Sequence, residues 1–167
     1  HVGKAEIAIK HIQRKSLSLL FGAKLDLIYE DDRKVKRSFF SYAIDMSVEI
    51  KMMLPYAGNN HRTPFEAVKG RKPTDLELAW LRTPFCTVYC KKETTNSRER
   101  KHEIGIFIGY SAMGKYRIFY PWRLKLKAKK YAGQTKVIFE EKQIVWDESL
   151  NHTTKRFEEL RKYRDFH

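Results

Sequence analysis

Apolar residues recur along this chain in two rhythms, and the switch between them is the first clue to its architecture. Between Ala5 and Gly22, Ala5, Ile9, Ile12, Leu19 and Leu20 recur at helical spacing, with Ser16 on the same face and Lys10, Arg14 and Lys15 occupying the other. That pattern predicts an amphipathic helix, and Gly22 suits its C-terminal cap. Asp26 to Arg37 follows, with the run Glu30-Asp31-Asp32-Arg33-Lys34-Val35-Lys36-Arg37, a composition expected of a solvated loop. A second helix is predicted from about Ser38 to Leu54, because Phe39, Ala43, Met46, Ile50 and Met53 step by four, three, four and three. Pro55, Gly58 and Asn59-Asn60 end it.

Beyond Arg71-Lys72-Pro73 the rhythm shortens to runs rich in aromatic and β-branched residues, so a boundary is expected near residues 70–75. The predicted strands are Phe85–Tyr89, Ile104–Tyr110, Tyr116–Tyr120, Thr135–Phe139 and Ile144–Trp146, spaced as in a small antiparallel barrel. Gly109 to Gly114 is expected to hold a hairpin turn. Two basic segments, Lys91–Lys101 and Arg123–Lys130, separate strands, and the tail from Asn151 reads as a short charged helix or a disordered end.

Composition narrows the function classes. The chain has 167 residues, 34 Lys and Arg against 20 Asp and Glu, and a formal charge of +14. With 42% hydrophobic and 13% aromatic residues it has apolar material for a core, so a disordered basic tail is excluded. No apolar run approaches the roughly 20 residues that cross a bilayer, and two cysteines make no disulfide framework, so no membrane partner and a reducing, intracellular compartment are expected. The charge is uneven. Residues 1–70 carry 12 basic and 8 acidic side chains, and residues 71–150 carry 17 and 9. A polyanion partner is therefore expected, gripped by the second segment. The first residue is His rather than Met, and the chain is expected to be part of something longer.

Candidate chemistry is sparse. Cys86, Cys90 and His102 lack a fourth ligand at zinc-site spacing, and core thiols are the simpler expectation. Glu140-Glu141 and Asp147-Glu148 balance charge in a basic segment. No glycine-rich nucleotide loop and no nucleophile elbow is present.

An ordered series of short motifs resembles the integrase portion of Ty1/copia-type retrotransposon polyproteins over nearly the whole chain. Gly3-Lys4-Ala5-Glu6 is similar to that family's Asn-Gly-x-x-Glu, and Phe39-Phe40-Ser41-Tyr42-Ala43 with Leu54-Pro55 to its Phe-Trp-x-x-Ala helix and Asn-x-x-Pro end. Arg62-Thr63-Pro64-Phe65-Glu66-Ala67 and Gly70-Arg71-Lys72-Pro73 resemble Lys-Thr-Pro-Tyr-Glu and Gly-Lys-Lys-Pro. Leu81-Arg82 with Phe85-Cys86 resembles the next strand, Gly105 to Ser111 is similar to Gly-Ile-Phe-Leu-Gly-Tyr-Ser, and Trp146-Asp147-Glu148-Ser149 to Phe-Asp-Glu-Ser. Val2, Phe40 and Met52 depart from the family's Asn, Trp and Asn, and two insertions, Asp26–Arg37 and Leu124–Ala132, mark a divergent copy.

The resemblance implies an α+β chain. Residues 1–70 would be two or three helices from the end of a ribonuclease-H-like integrase core, 71–150 a small antiparallel SH3-like β-barrel, and 151–167 a charged tail or linker. It implies Mg²⁺-dependent DNA strand transfer in the intact protein, with Glu6 as the third metal-binding carboxylate after two Asp upstream of His1. One carboxylate cannot hold two Mg²⁺ ions, so this chain alone is expected to be inactive and to hold no cofactor. A Glu in the first turn of a helix is also favoured by the helix dipole alone. The expected partners are DNA, through phosphate contacts without sequence preference, and other integrase protomers. The expected DNA contacts are Lys91, Lys92, Arg98, Arg100, Lys101, Lys115, Arg117, Arg123, Lys125, Lys127, Lys129 and Lys130. Nucleus or cytoplasmic virus-like particle is the implied location. The alternatives are an interaction or oligomerisation module without DNA contact, or a non-functional remnant.

Overall fold

The structure, a computed structural model, describes residues 2–23, 32–91, 102–111, 115–120, 134–138 and 143–149. The described chain is α+β: helices α1 (Val2–Gly22), α2 (Asp32–Met53), α3 (Pro64–Lys69) and α4 (Asp75–Ala79) precede strands β1 (Thr87–Lys91), β2 (His102–Ser111), β3 (Lys115–Tyr120), β4 (Gln134–Ile138) and β5 (Ile144–Asp147). All strand pairs are antiparallel, in the order β4-β3-β2-β1-β5.

Helices α1 and α2 form a hairpin. Leu20 of α1 and Ala23 just beyond its end share the core with Phe39, Ala43 and Met46 of α2, as the apolar stripes require. Midway along the seam two small polar residues are fully buried: Ser16 donates to the Ile12 carbonyl at 2.7 Å and lies 3.1 Å from the Ser47 hydroxyl. Their small size lets the helices approach, and the mutual hydrogen bond removes the penalty of burying both hydroxyls. α2 begins at Asp32, six residues before the expected Ser38, so the end of the charge-dense run is helix and not loop. Lys and Arg are good helix formers, and Asp is favoured at a helix start, so a solvated run can still extend a helix. Residues 24–31 and the tail 151–167 lie outside the described residues.

Two reciprocal capping boxes set the short helices. The Thr63 hydroxyl accepts from the Glu66 N–H at 3.0 Å while the Thr63 N–H donates to the Glu66 carboxylate at 2.7 Å, and Pro64 supplies a helix-ready φ at the first position. Thr74 and Glu77 repeat the arrangement in α4. Arg71 closes on Glu77 with two bonds of 2.7 and 2.8 Å, which hold the Glu77 carboxyl down at about 2.

The sheet is covered on both faces, which explains its nearly continuous apolar strands. Cross-strand partners share a face, so register sorts the residues. One face carries Thr87, Ile106, Gly109, Arg117 and Phe119 and packs on α2: the Phe39 ring meets Phe119 edge-on at 5.0 Å and Phe85 at 6.1 Å. The other carries Val88, Cys90, Gly105, Phe107, Tyr116, Ile118, Ile144 and Trp146. All of these are buried except Trp146, which is half-buried. At its rim Trp146 packs against Phe107 and Tyr116 at 5.4 and 4.8 Å, and the Arg82 guanidinium lies 5.0 Å from the Trp146 ring. Packing is continuous from helices to sheet across residue 70, so the change of periodicity marks helices giving way to strands inside one core.

Three sequence expectations shift. β1 starts at Thr87, not Phe85, because Phe85 turns the chain with φ +61°, a backbone a bulky residue holds only when its side chain is locked, here fully buried. Gly109 lies inside β2 and not in a turn. The register slips between Phe107 and Gly109, and at φ +134° Gly109 faces α2, where a Cβ would sit 3.6 Å from Met46 Cγ. Residues 112–114 of the expected turn lie outside the described residues. β2 to β5 otherwise match the expected strands within one or two residues at each end. β4 and β5 are the sheet edges, so among the described residues the sheet is open and no closed barrel is formed.

At Gly105 a Cβ would come within 2.4 Å of Ile118 Cγ2 and 3.1 Å of the Phe119 carbonyl. Gly105→Ala is expected to destabilise by about 1–3 kcal/mol through overpacking. Gly3→Ala, at a helix position with open space around it, should be neutral or slightly stabilising. Urea unfolding of the two variants measures both, and equal midpoints would refute the account of the β2–β3 contact.

Candidate nucleic-acid interface

Of the expected DNA contacts, the structure describes Lys91, Lys115 and Arg117. The others, Lys92, Arg98, Arg100, Lys101, Arg123, Lys125, Lys127, Lys129 and Lys130, lie outside the described residues. Lys91 is exposed at the last position of β1, opposite His102 in β2. Lys115 opens β3 opposite Ser111, half-buried. Nine residues of β2 separate these register positions, about 30 Å along an extended strand, so Lys91 and Lys115 belong to opposite ends of the sheet. Arg117 sits on the helix-facing side, 3.8 Å from Asp45 of α2, where it ties β3 to the helical layer. The three do not form one patch.

What the topology does bring together is the pair of points from which the basic segments leave. The chain leaves β1 at Lys91 and re-enters at His102; it leaves β3 at Tyr120 and re-enters at Gln134. Lys91 pairs with His102, while Phe119 pairs with Ile106, so both departures lie near the N-terminal end of β2. They are separated by two strand spacings, about 10 Å across the sheet. In sequence, residues 92–101 hold four Lys and Arg with two Glu, and residues 121–133 hold five Lys and Arg with no acid. Almost all of the excess charge of residues 71–150 is thus carried by two connections rooted at one end. The signal was available before the fold was known, because in an up-and-down meander the first and third connections leave from the same end.

Glu6 lies in the second turn of α1, not the first, since the helix begins at Val2; it is exposed. Among the described residues no three His, Cys, Asp or Glu side chains converge as a metal site. The residues present do not fit a two-metal centre, and no catalytic step follows from them. Glu66 and Glu77 are engaged in caps, and Asp147 accepts from the Ser149 hydroxyl at 2.6 Å. Cys86 and Cys90 are buried on the sheet, four positions and about 13 Å apart if extended, too far for a shared metal, and His102 is exposed at the start of β2. No helix among the described residues is long and apolar enough to cross a membrane.

No protein-family model, curated protein or solved structure matches this chain.

Burial, reinforced by the carboxylates of Glu148 and Asp147, pushes the Cys86 thiol up to about 12. The reactive thiolate at pH 8 is then about a thousandfold scarcer than at an ordinary thiol. Folded protein should leave Cys86 unmodified by a disulfide reagent at pH 8 over a time in which unfolded protein reacts fully. Rapid labelling of Cys86 in the folded state would show that the β1 core is open to solvent.

Proposed function

We propose that the chain is a nucleic-acid-handling module from the C-terminal part of a Ty1/copia-type retrotransposon integrase, holding DNA by phosphate contacts without sequence preference. The observation that carries this reading is the common root of the two basic connections at one end of the sheet. Nine cations against two carboxylates on adjacent connections make a surface that a phosphate backbone would neutralise, with counterion release as the driving force. The SH3-like part of the reading is supported by strand order: a four-strand meander whose fifth strand returns beside the first lacks only the β4–β5 seam of a five-stranded barrel. In the intact protein, two upstream Asp would join Glu6 in holding Mg²⁺ for strand transfer, and the module would act in the nucleus or a virus-like particle.

A second reading, an interaction module joining integrase protomers, is favoured by one observation. Ile9 lies on the line of α1 that carries the buried Ser16 and Leu20, yet among the described residues it is 55% exposed, an apolar side chain that a second protomer could cover.

Fluorescence anisotropy with duplex DNA tests both. With about six phosphates neutralised, affinity should fall about 10³-fold between ~50 and ~200 mM salt, and replacing Lys125, Lys127, Lys129 and Lys130 by Glu should remove most of that dependence. Salt-indifferent binding, or none at low salt, refutes the nucleic-acid reading. A stable dimer by size-exclusion chromatography, with DNA affinity unmoved by charge reversal, would establish the interaction reading instead.

A further inference from the structure

Far from the basic connections, the α1–α2 seam carries a second concentration of positive charge with a different character. Lys15 precedes the buried Ser16, which meets Ser47 of α2 at 3.1 Å; Lys51 lies one turn beyond Ser47 on the same face of α2. Both lysines are half-buried at the rim of the seam, so Lys15, unlike the exposed Lys10 and Arg14, is not on the far face that the helical pattern predicts for it. The acids on this stretch of α2 face elsewhere: Asp45 lies 3.8 Å from Arg117, and the field of Glu49 falls on Tyr110. Glu6, the one acid of α1, is nine residues or about 13 Å up the helix from Lys15. Among the described residues no carboxylate pairs with Lys15 or Lys51. Burial first, then the neighbouring Lys51 ammonium, holds the Lys15 pKa below its ordinary value. Two like charges on facing helices therefore stand together at the seam with no carboxylate between them among the described residues.

We propose that Lys15 and Lys51 form a seat for a phosphate oxyanion at the α1–α2 seam, which in the assembled complex receives a backbone phosphate of the nucleic acid. Two ammonium groups offer six N–H donors to an oxyanion, and an anion between them turns the repulsion into attraction. The seat stands apart from the first basic surface. Met46 meets Gly109 near the C-terminal end of β2, and Lys51 lies five residues further along α2, whereas the basic connections leave from the N-terminal end of β2. A duplex touching both would run the length of the sheet. The identity of the polyanion rests on the nucleic-acid reading; the seat itself does not.

The test has two arms on the whole chain. In the first, inorganic phosphate is titrated at constant ionic strength against protein carrying ¹³C-labelled lysine side chains. The Cε resonances of Lys15 and Lys51 should shift together and saturate while those of Lys10 and Lys69 stay put, and phosphate should raise the melting temperature of wild type but not of a Lys15→Gln/Lys51→Gln variant. In chloride alone that variant should melt no lower than wild type, since it loses a repulsion. Equal, non-saturating shifts at all four lysines would overturn the seat. In the second arm the same variant binds a 24-base-pair duplex, with an expected loss of about two units of salt slope against no loss for Lys69→Gln. Phosphate saturation with an unchanged slope would overturn the nucleic-acid occupant and assign the seat to a free oxyanion. If wild type does not bind the duplex at all while phosphate still saturates the pair, the nucleic-acid reading fails and the seat stands.

Discussion

The seating of α2 on β2 and β3 is the constraint on which the rest of the molecule depends. Phe39 must reach edge-on into Phe119 and Phe85, and Met46, two turns later, lies over the strand at Gly109. A Cβ at 109 would meet Met46 Cγ at 3.6 Å, an ordinary contact, so the call for glycine comes from the backbone. The slipped register bends the strand there at φ +134°, a conformation glycine holds without strain. Once α2 is seated, α1 follows through the Ser16–Ser47 contact, and Arg117 is drawn toward Asp45.

The opposite face of the sheet has a different problem, since no long helix among the described residues covers it. Its side chains are large, and among the described residues they pack on one another and on the segment before β1. Trp146 from β5, Tyr116 from β3 and Phe107 from β2 form one ring cluster, and Trp80 beyond α4 approaches Tyr116 at 6.4 Å. The Tyr110 hydroxyl, accepting from the Arg82 N–H at 2.8 Å, ties that segment to the sheet, and the Thr83 hydroxyl at 3.1 Å from Glu148 ties it to the end of β5. Gly105 lets Ile118 lie flat against β2 in the middle of this face. A sheet buried on both sides in this way loses the alternation of apolar and polar residues by which strands are usually told from buried helices.

How much could be read in the chain follows from that burial. The long helices were legible because each has a single buried stripe with a period near 3.6, and the Phe39-to-Met53 stripe names the face that packs. The strands were legible because aromatic and β-branched residues cluster between turn residues. The Asp32–Arg37 segment was misjudged because charge density reports solvation, and a solvated helix turn and a solvated loop have the same composition. Gly109 falls within the expected strand Ile104–Tyr110, but its glycine serves a register slip with positive φ and not the start of the expected turn, and residue type alone does not tell the two apart. For the site, the charges were visible but their grouping was not. Only strand pairing separates Lys91 from Lys115 and Arg117, and only the helix–helix register brings Lys15 to Lys51, residues 36 positions apart whose local patterns are unrelated.

The two concentrations of positive charge are of different physical kinds. The nine cations of residues 92–101 and 121–133 belong to the two connections that leave one end of the sheet, and cations of that number act on a polyanion at long range, screened by salt and indifferent to sequence. Lys15 and Lys51 stand on helices whose relative position is set by buried serines and a shared core. With the helical layer and the sheet packed as one core, a phosphate held at the seam is registered against the sheet end by rigid structure and not by a linker. Under the nucleic-acid role proposed above, that would fix the angle at which a bound duplex crosses the module.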